Sequence, residues 1–128
     1  MGNAFKIAGR LIFGIPLAVF GLLHFMGAQG MQSMIPAYFG PTRLALVYIT
    51  GAALIAAAAS VITKILIKVS MPLLAVMLLI FICTLHLPGI AAANGNMQAM
   101  TMSLTGLLKD SAIAGAALFI AGAHWNDQ

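Results

Sequence analysis

Six residues of this sequence carry side chains that can do chemistry in apolar surroundings. They comprise two imidazoles, two cations, a carboxylate and the single thiol of the chain, and they are His24, His86, Arg43, Lys109, Asp110 and Cys83. Imidazole and carboxylate groups can accept and release protons. Ionisable groups within apolar segments are costly to keep there, so each indicates a functional site by default. The first hypothesis is a proton-handling cluster, with Cys83 as a candidate redox thiol.

The same histidines allow a metal site as an alternative. His24 and His86 could act as ligands from two neighbouring helices, as happens in helix bundles. Thioether and imidazole together suit Cu(I), and six methionines lie in two uncharged segments: Met26, Met31, Met34, Met97, Met100 and Met102. No CxxCH motif is present, so covalently attached haem is excluded. Haem or Cu(I) between the first and third helices stays open beside a structural interpretation, in which methionine fills apolar surface.

Several enzyme classes are disfavoured by what the sequence lacks. It has no glycine-rich phosphate-binding loop, no HExxH motif and no second cysteine for a dithiol cycle. It contains two acidic residues in all, which argues against catalysis by paired carboxylates. A stand-alone enzyme is therefore not expected, whereas a subunit of a membrane oxidoreductase remains open.

The composition indicates what must position these residues. Hydrophobic residues make up 62% of the 128 residues and charged residues 6%, whereas a soluble domain carries about 25% charged residues. The net charge is +4, but the basic residues stand singly or in pairs at the ends of apolar segments. Nucleic-acid binding needs a basic patch that faces water. The sequence therefore predicts an integral membrane protein that does not bind nucleic acid.

Charge-free segments divide the chain into four predicted helices. These segments cover residues 11–42, 44–63, 69–108 and 111–126, and about 20 apolar residues suffice to cross a bilayer. We predict an all-α fold, a bundle of four transmembrane helices at residues 7–25, 43–62, 71–87 and 104–125, within a single membrane domain, 1–128. Pro88 and Gly89 are expected to end the third helix. The uncharged connection 26–42 is expected to lie at the membrane surface or to dip into the membrane.

The basic residues predict the orientation in the membrane. With four spans both termini share one side, which would carry four basic residues: Lys6, Arg10, Lys64 and Lys68. The other side would carry Arg43 and Lys109. The positive-inside rule then predicts a multi-pass protein of the cytoplasmic (inner) membrane with both termini in the cytoplasm. The lipid bilayer is its first partner, and a redox protein or a second copy of the chain are further candidates.

This topology brings the candidate residues to one layer of the bundle. His24 and His86 would lie at the outer ends of their helices, with Arg43, Lys109 and Asp110 in the same outer half. Small residues mark helix contacts in membranes, and His24 continues a stripe of them through Gly14, Ala18 and Gly21. Asp110 likewise begins a stripe of alanines, which are Ala114, Ala117 and Ala121. We therefore expect His24, His86 and Asp110 within hydrogen-bond or one-water reach of one another.

Short motifs in the sequence resemble the DoxX family of small four-helix membrane proteins. They are residues 21–25 (GLLHF), 48–51 (YITG), 85–88 (LHLP), 107–110 (LLKD) and 114–117 (AGAA). The resemblance implies a four-helix bundle in the cytoplasmic membrane and a link to quinone-dependent sulfur oxidation, thiol complexes or membrane-protein assembly. Many members carry an acid just after the glycine of the second helix, where this chain has Ala52 and Ala53. Any role of that acid is therefore not transferred.

Three functions remain open at this point. The first is a redox-associated subunit whose His24, His86 and Asp110 face a quinone, because a quinone pocket needs apolar walls and proton-handling groups. The second is a haem or copper binder, with His24 and His86 as ligands. The third is a non-catalytic scaffold or accessory protein in which the polar cluster only fixes helix packing.

Overall fold

The computed structural model describes residues 1–127, which are almost entirely helical. The fold is all-α, 91% helical, with no strand in the described part of the chain. Six α-helices follow one another: α1 (Gly2–Met26), α2 (Ala28–Met31), α3 (Arg43–Thr63), α4 (Ile67–Phe81), α5 (Leu87–Ala92) and α6 (Met97–Ala123). Short 3-10 turns at Gln32–Met34, Ala37–Thr42 and Trp125–Asp127 and a π-helical turn at Ile82–His86 complete the chain.

Four helical stretches are long and apolar enough to cross a membrane, as the sequence predicts. They are Gly2–Met26, Ala37–Thr63, Ile67–Ala92 and Met97–Ala123, each 25 to 27 residues long. A span needs about 20 residues, so each stretch exceeds the requirement by a turn or more. Many large side chains on their outer faces are exposed and apolar, among them Ile12, Leu73 and Phe119.

The helices extend beyond the predicted spans, most of all around the third connection. The third helix does not end before Pro88 and Gly89 but continues to Ala92. The reason is the π-helical turn, in which the Leu87 N–H bonds the carbonyl of Ile82, five residues back. Pro88 then stands in the first turn of α5, directly after the π-helical turn, which is a position where proline is tolerated.

The fourth long helix begins seven residues before the predicted start, since it opens at Met97 and not at 104. The side chain of Asn96 caps it by accepting a hydrogen bond from the Ala99 N–H at 3.1 Å. The segment 97–103, expected as loop, is therefore helix. Asp110 consequently stands about 20 Å along α6, at 1.5 Å per residue, in the middle of the helix.

Two closely packed helix pairs form the bundle: α1 packs mainly against α3, and α4 mainly against α6. Glycine permits the first contact, because a Cβ at Gly21 would lie 2.9 Å from the carbonyl oxygen of Gly51. Alanine permits the second, since Ala114, Ala117 and Ala121 are all buried along α6. The core between the pairs is filled by larger side chains, of which Leu54, Val61, Ile67 and Met71 are fully buried.

The starts of α1 and α4 and the ends of α3 and α6 meet at one end of the bundle, which we call the terminal end. Lys64 lies 3.8 Å from the Asp127 carboxylate, and the Lys68 ammonium lies 5.5 Å from the centre of the Trp125 ring. The turn between α3 and α4 is closed by the hydroxyl of Ser60, which bonds the Ile65 carbonyl and the Ser70 hydroxyl. The four helices therefore alternate in direction.

Candidate functional site

Asp110 is the centre of a polar cluster inside the apolar bundle. Its side chain is 5% exposed, and both carboxylate oxygens have partners. Oδ2 accepts a hydrogen bond from His86 Nε2 at 2.7 Å, and Oδ1 lies 3.4 Å from the Lys109 ammonium. A buried carboxylate needs such partners because an unpaired charge in apolar surroundings is costly. We call His86, Lys109 and Asp110 the α4–α6 polar cluster.

The spacing of alanines along α6 explains why the side chain of Asp110 points into the bundle. Asp110, Ala114, Ala117 and Ala121 are three or four residues apart, and all four are buried. Residues at this spacing share one helix face. The small alanines bring α6 close to α4, and the aspartate on the same face consequently points into the interface.

Two local features bring His86 to the aspartate. His86 closes the π-helical turn after α4, and such a turn shifts the side chains that follow it relative to the helix before it. The imidazole ring then lies directly over Gly106, one turn before Asp110. A Cβ at Gly106 would be 2.4 Å from His86 Cε1 and 2.7 Å from Nδ1. Only a glycine at 106 leaves room for the ring in this position.

Lys109 connects the polar cluster to α1. Its side chain is about half exposed, and its ammonium lies 4.5 Å from the centre of the Phe20 ring, a cation–π distance. Phe20 in turn meets the His24 ring edge-on at 4.8 Å. His24 is therefore linked to the polar cluster indirectly, through contacts of Phe20 and Lys109.

Within residues 1–127, no hydrogen bond or ion pair joins His24 to His86 or Asp110. Nδ1 of His24 instead donates to the carbonyl of Phe20 in its own helix, at 2.8 Å. The expectation that His24, His86 and Asp110 form one group is thus met for two of the three. The third histidine, His124, lies elsewhere, buried at the terminal end.

Arg43 and Cys83 stand apart from the polar cluster. Arg43 begins α3, and its Nε donates to the carbonyl of Gly40 at 3.3 Å. Cys83 is exposed on the π-helical turn, one helical turn before His86. No group of three or more His, Cys, Asp or Glu side chains that could hold a metal is found in the described part of the chain. Redox activity of the thiol and a His24–His86 metal site stay untested predictions.

The hydrogen-bonding state of His86 defines what the site can do. Nε2 is held by Asp110, and Nδ1 has no hydrogen-bond partner among residues 1–127. The side chain is 17% exposed, so its ring is not sealed in the core. A carboxylate that holds one ring nitrogen fixes the tautomer and orientation of a histidine, leaving the second nitrogen for a ligand or a proton.

Sequence reasoning missed Gly106, which seats the imidazole. A signal was present, because Gly106 precedes Asp110 by four residues and therefore shares its face. What could not be read from the sequence is which side chain of another helix uses the space. It also missed the burial of Arg10, which the charge pattern predicts at the end of an apolar segment but whose guanidinium is partly buried.

Fold and site together define a class: a small all-helical protein with four potential membrane-spanning helices and one buried histidine–aspartate pair. The chain belongs to a family described as Domain of unknown function (DUF8561), whose model matches residues 13–104. The matched region includes His86 and Gly89 but ends before Lys109 and Asp110. No curated protein and no solved structure matches the chain.

The family assignment corrects the resemblance drawn from the sequence. The resemblance to DoxX proteins is wrong, since the matching family is a different one and no DoxX match is found. The motifs that suggested it are four or five residues long and consist mostly of Leu, Gly and Ala. Such stretches recur in unrelated membrane helices because lipid contact and close helix packing both select these residues.

Proposed function

We propose that this protein is an integral protein of the cytoplasmic membrane, with both termini in the cytoplasm, that binds the headgroup of a quinone at His86. It would act as a subunit of a membrane redox system and not as a stand-alone enzyme. The observation that carries the proposal is the 2.7 Å contact between His86 Nε2 and Asp110, with His86 Nδ1 left without a partner in the described chain.

The chemistry of the pair suits both oxidation states of a quinone. When the imidazole is neutral, Asp110 keeps the proton on Nε2, and Nδ1 accepts a hydrogen bond from a quinol hydroxyl. When it is protonated, Asp110 balances the imidazolium charge, and Nδ1 donates to a quinone carbonyl. The arrangement can therefore hold either form and take up or release one proton between them.

The surroundings support a lipid-soluble ligand. Leu87 and Leu108, next in the chain to His86 and Lys109, are exposed and apolar. A quinone that diffuses in the bilayer could therefore approach His86 across apolar surface without passing through water. Lys109 adds a second charge that balances the carboxylate from its other side.

Photoaffinity labelling tests the proposal directly. The purified chain in mild detergent is irradiated with a photoreactive azidoquinone, and labelled peptides are identified by mass spectrometry. We expect label near residues 82–92 or 103–111, competed by excess unmodified quinone and reduced about tenfold in His86→Gln, a loss of about 1.4 kcal/mol.

The matched control is His24→Gln, because His24 is also partly buried but bonds only its own helix. It should retain the label. Equal labelling of wild type and His86→Gln, or label confined to other segments, would contradict quinone binding at His86.

A scaffold or accessory function is the second candidate, and a specific observation favours it. Both oxygens of Asp110 already have partners, which are His86 on the π-helical turn after α4 and Lys109 on α6 itself. A satisfied pair of this kind can serve only to fix how α4 meets α6. If so, His86→Gln lowers the unfolding temperature in detergent, and wild-type protein shows no quinone-specific labelling.

A further inference from the structure

A second polar feature lies at the terminal end of the bundle, far along α6 from Asp110. There the facing surfaces of α1 and α6 leave a cleft of about 550 Å³. Its walls include Phe13, Ala116 and Ile120, and its basic groups are Lys6, Arg10 and His124. The cleft is thus mostly apolar, and the charged residues that line it are all basic.

Arg10 is the unusual residue of this cleft. Its Nε and Nη1 atoms are buried and have no hydrogen-bond partner within residues 1–127. Buried polar groups are almost always paired, and a buried charge without a counter-ion is strongly unfavourable. An anion in the cleft would therefore supply the partner that the guanidinium lacks.

The chain has no acidic side chain left to supply that anion. It contains two acidic residues. Asp110 is engaged by His86 and Lys109, and Asp127 lies beside Lys64. The counter-ion of Arg10 must therefore be sought outside these side chains.

We propose that the cleft between α1 and α6 binds the phosphate of an anionic phospholipid. Arg10 suits phosphate because its planar guanidinium group can donate two parallel hydrogen bonds to two phosphate oxygens. Lys6 adds a second positive charge and His124 adds an imidazole in the same cleft. Basic pockets between membrane helices on the cytoplasmic side are known to suit anionic headgroups, and this is the side where the basic residues place the terminal end.

The apolar walls select a lipid over free phosphate. Phe5 and Phe119 line the cleft and are 70% and 79% exposed, so their rings offer a surface on which an acyl chain can lie. Small residues, Gly9 and Gly115, widen the space between the two helices. A free phosphate ion would gain nothing from these groups, whereas a lipid would bury them.

His124 is already oriented for this role. Its Nδ1 donates to the Ile120 carbonyl at 3.0 Å, which leaves Nε2 for a ligand. In the protonated imidazole Nε2 donates, as an anion requires. The residue is buried, so its position is set by packing and does not have to be ordered when lipid binds.

Native mass spectrometry of the full chain in zwitterionic detergent tests the proposal with phosphatidylglycerol, phosphatidylcholine and inorganic phosphate as separate probes. We expect phosphatidylglycerol to bind wild type at least tenfold more tightly than phosphatidylcholine. Arg10→Met should weaken phosphatidylglycerol binding about tenfold, which corresponds to about 1.4 kcal/mol. Arg43→Met is the matched control, because Arg43 bonds the Gly40 carbonyl and does not line the cleft.

A stability measurement separates loss of binding from loss of fold. In detergent without anionic lipid, Arg10→Met should unfold at the same or a higher temperature than wild type, because it removes a partly buried guanidinium whose Nε and Nη1 atoms have no partner within residues 1–127. Added phosphatidylglycerol should raise the unfolding temperature of wild type but not of Arg10→Met. Equal phosphatidylglycerol binding by both proteins would overturn the proposal, as would inorganic phosphate competing at millimolar concentration, which would assign the site to a free anion.

Discussion

At the scale of single residues, the most informative contacts are those of Asp110, the buried one of the two acidic residues. Its oxygens meet an imidazole of one helix and an ammonium of its own helix. A buried pair of this kind contributes little net stability when complete but costs a great deal when one partner is removed. Substitutions that change only a few atoms of Asp110 or of its surroundings should therefore have measurable effects on stability.

Asp110→Asn should lower the free energy of unfolding by about 1–3 kcal/mol, the cost of a poorly satisfied buried group. The amide keeps a contact to His86 but no longer balances the charge of Lys109. Denaturant titration in detergent, followed by circular dichroism, measures the effect. The control is Asp127→Asn, whose exposed pair with Lys64 should be worth about 0–1 kcal/mol. Equal effects of the two substitutions would contradict the special position of Asp110.

Gly106→Ala should displace the His86 ring while leaving every charge in place. The added methyl group would meet the imidazole at 2.4 Å, and overpacking of this kind costs about 1–3 kcal/mol. The variant should also lose the azidoquinone label if the imidazole binds quinone. Gly122→Ala on the same helix has nothing within 4 Å of the new methyl, so it should be neutral or slightly stabilising. A silent Gly106→Ala would show that the ring has free space.

At the scale of elements, glycine and alanine decide which helices lie next to each other. The pair α1 and α3 meets through Gly14, Gly21 and Gly51, where an added Cβ would lie within 3 Å of a neighbouring atom. The pair α4 and α6 meets along the alanine stripe of α6. Small residues permit this approach because they bring backbones together and increase van der Waals contact.

Gly21→Ala should loosen α1 from α3. Its methyl would meet the backbone oxygen of Gly51 at 2.9 Å, and backbone cannot rotate away as a side chain can. We expect a loss of about 1–3 kcal/mol in the free energy of unfolding. Gly9→Ala, in the same helix with nothing within 4 Å, should instead show the small gain of replacing a helical glycine. If both variants behave alike, α1 and α3 are not in close contact at this point.

At the scale of the whole molecule, the distribution of basic residues predicts how the bundle sits in a membrane. The terminal end carries Lys6, Lys64 and Lys68, while Arg43 stands at the other end of α3 from Lys64. Lysine and arginine on short connections favour the cytoplasmic side. The predicted orientation, with both termini in the cytoplasm, therefore rests on charge and not on packing.

Cysteine labelling checks this orientation. In a background where the exposed Cys83 is replaced by serine, Asn96→Cys should react with a membrane-impermeant maleimide added to intact cells. Thr63→Cys should react only after the cells are opened. Both positions are exposed, so a difference reports the side of the membrane and not burial. The reverse pattern would invert the topology and place the cleft of Arg10 on the outer side.

The candidate site was partly predictable from the sequence. That Asp110 points inward followed from the alanines spaced along α6, because helical periodicity is a local property. That His86 pairs with it followed only in part, since the sequence equally suggested His24. The choice depends on the rotation of the third long helix, which the π-helical turn sets. Periodicity arguments assume a regular helix, so they fail where the turn widens.

The sequence by itself determined the number of long apolar helices, the all-helical class and the inward face of α6, because hydropathy, charge and helical period are read along the chain. The tertiary structure decided which side chains meet. His86 reaches Asp110 because Gly106 leaves space for its ring. Within the described chain, Arg10 lacks hydrogen-bond partners for its buried Nε and Nη1 atoms because the cleft between α1 and α6 supplies no acid. Such contacts depend on helix rotation and close packing between distant segments, and neither is encoded at any one position.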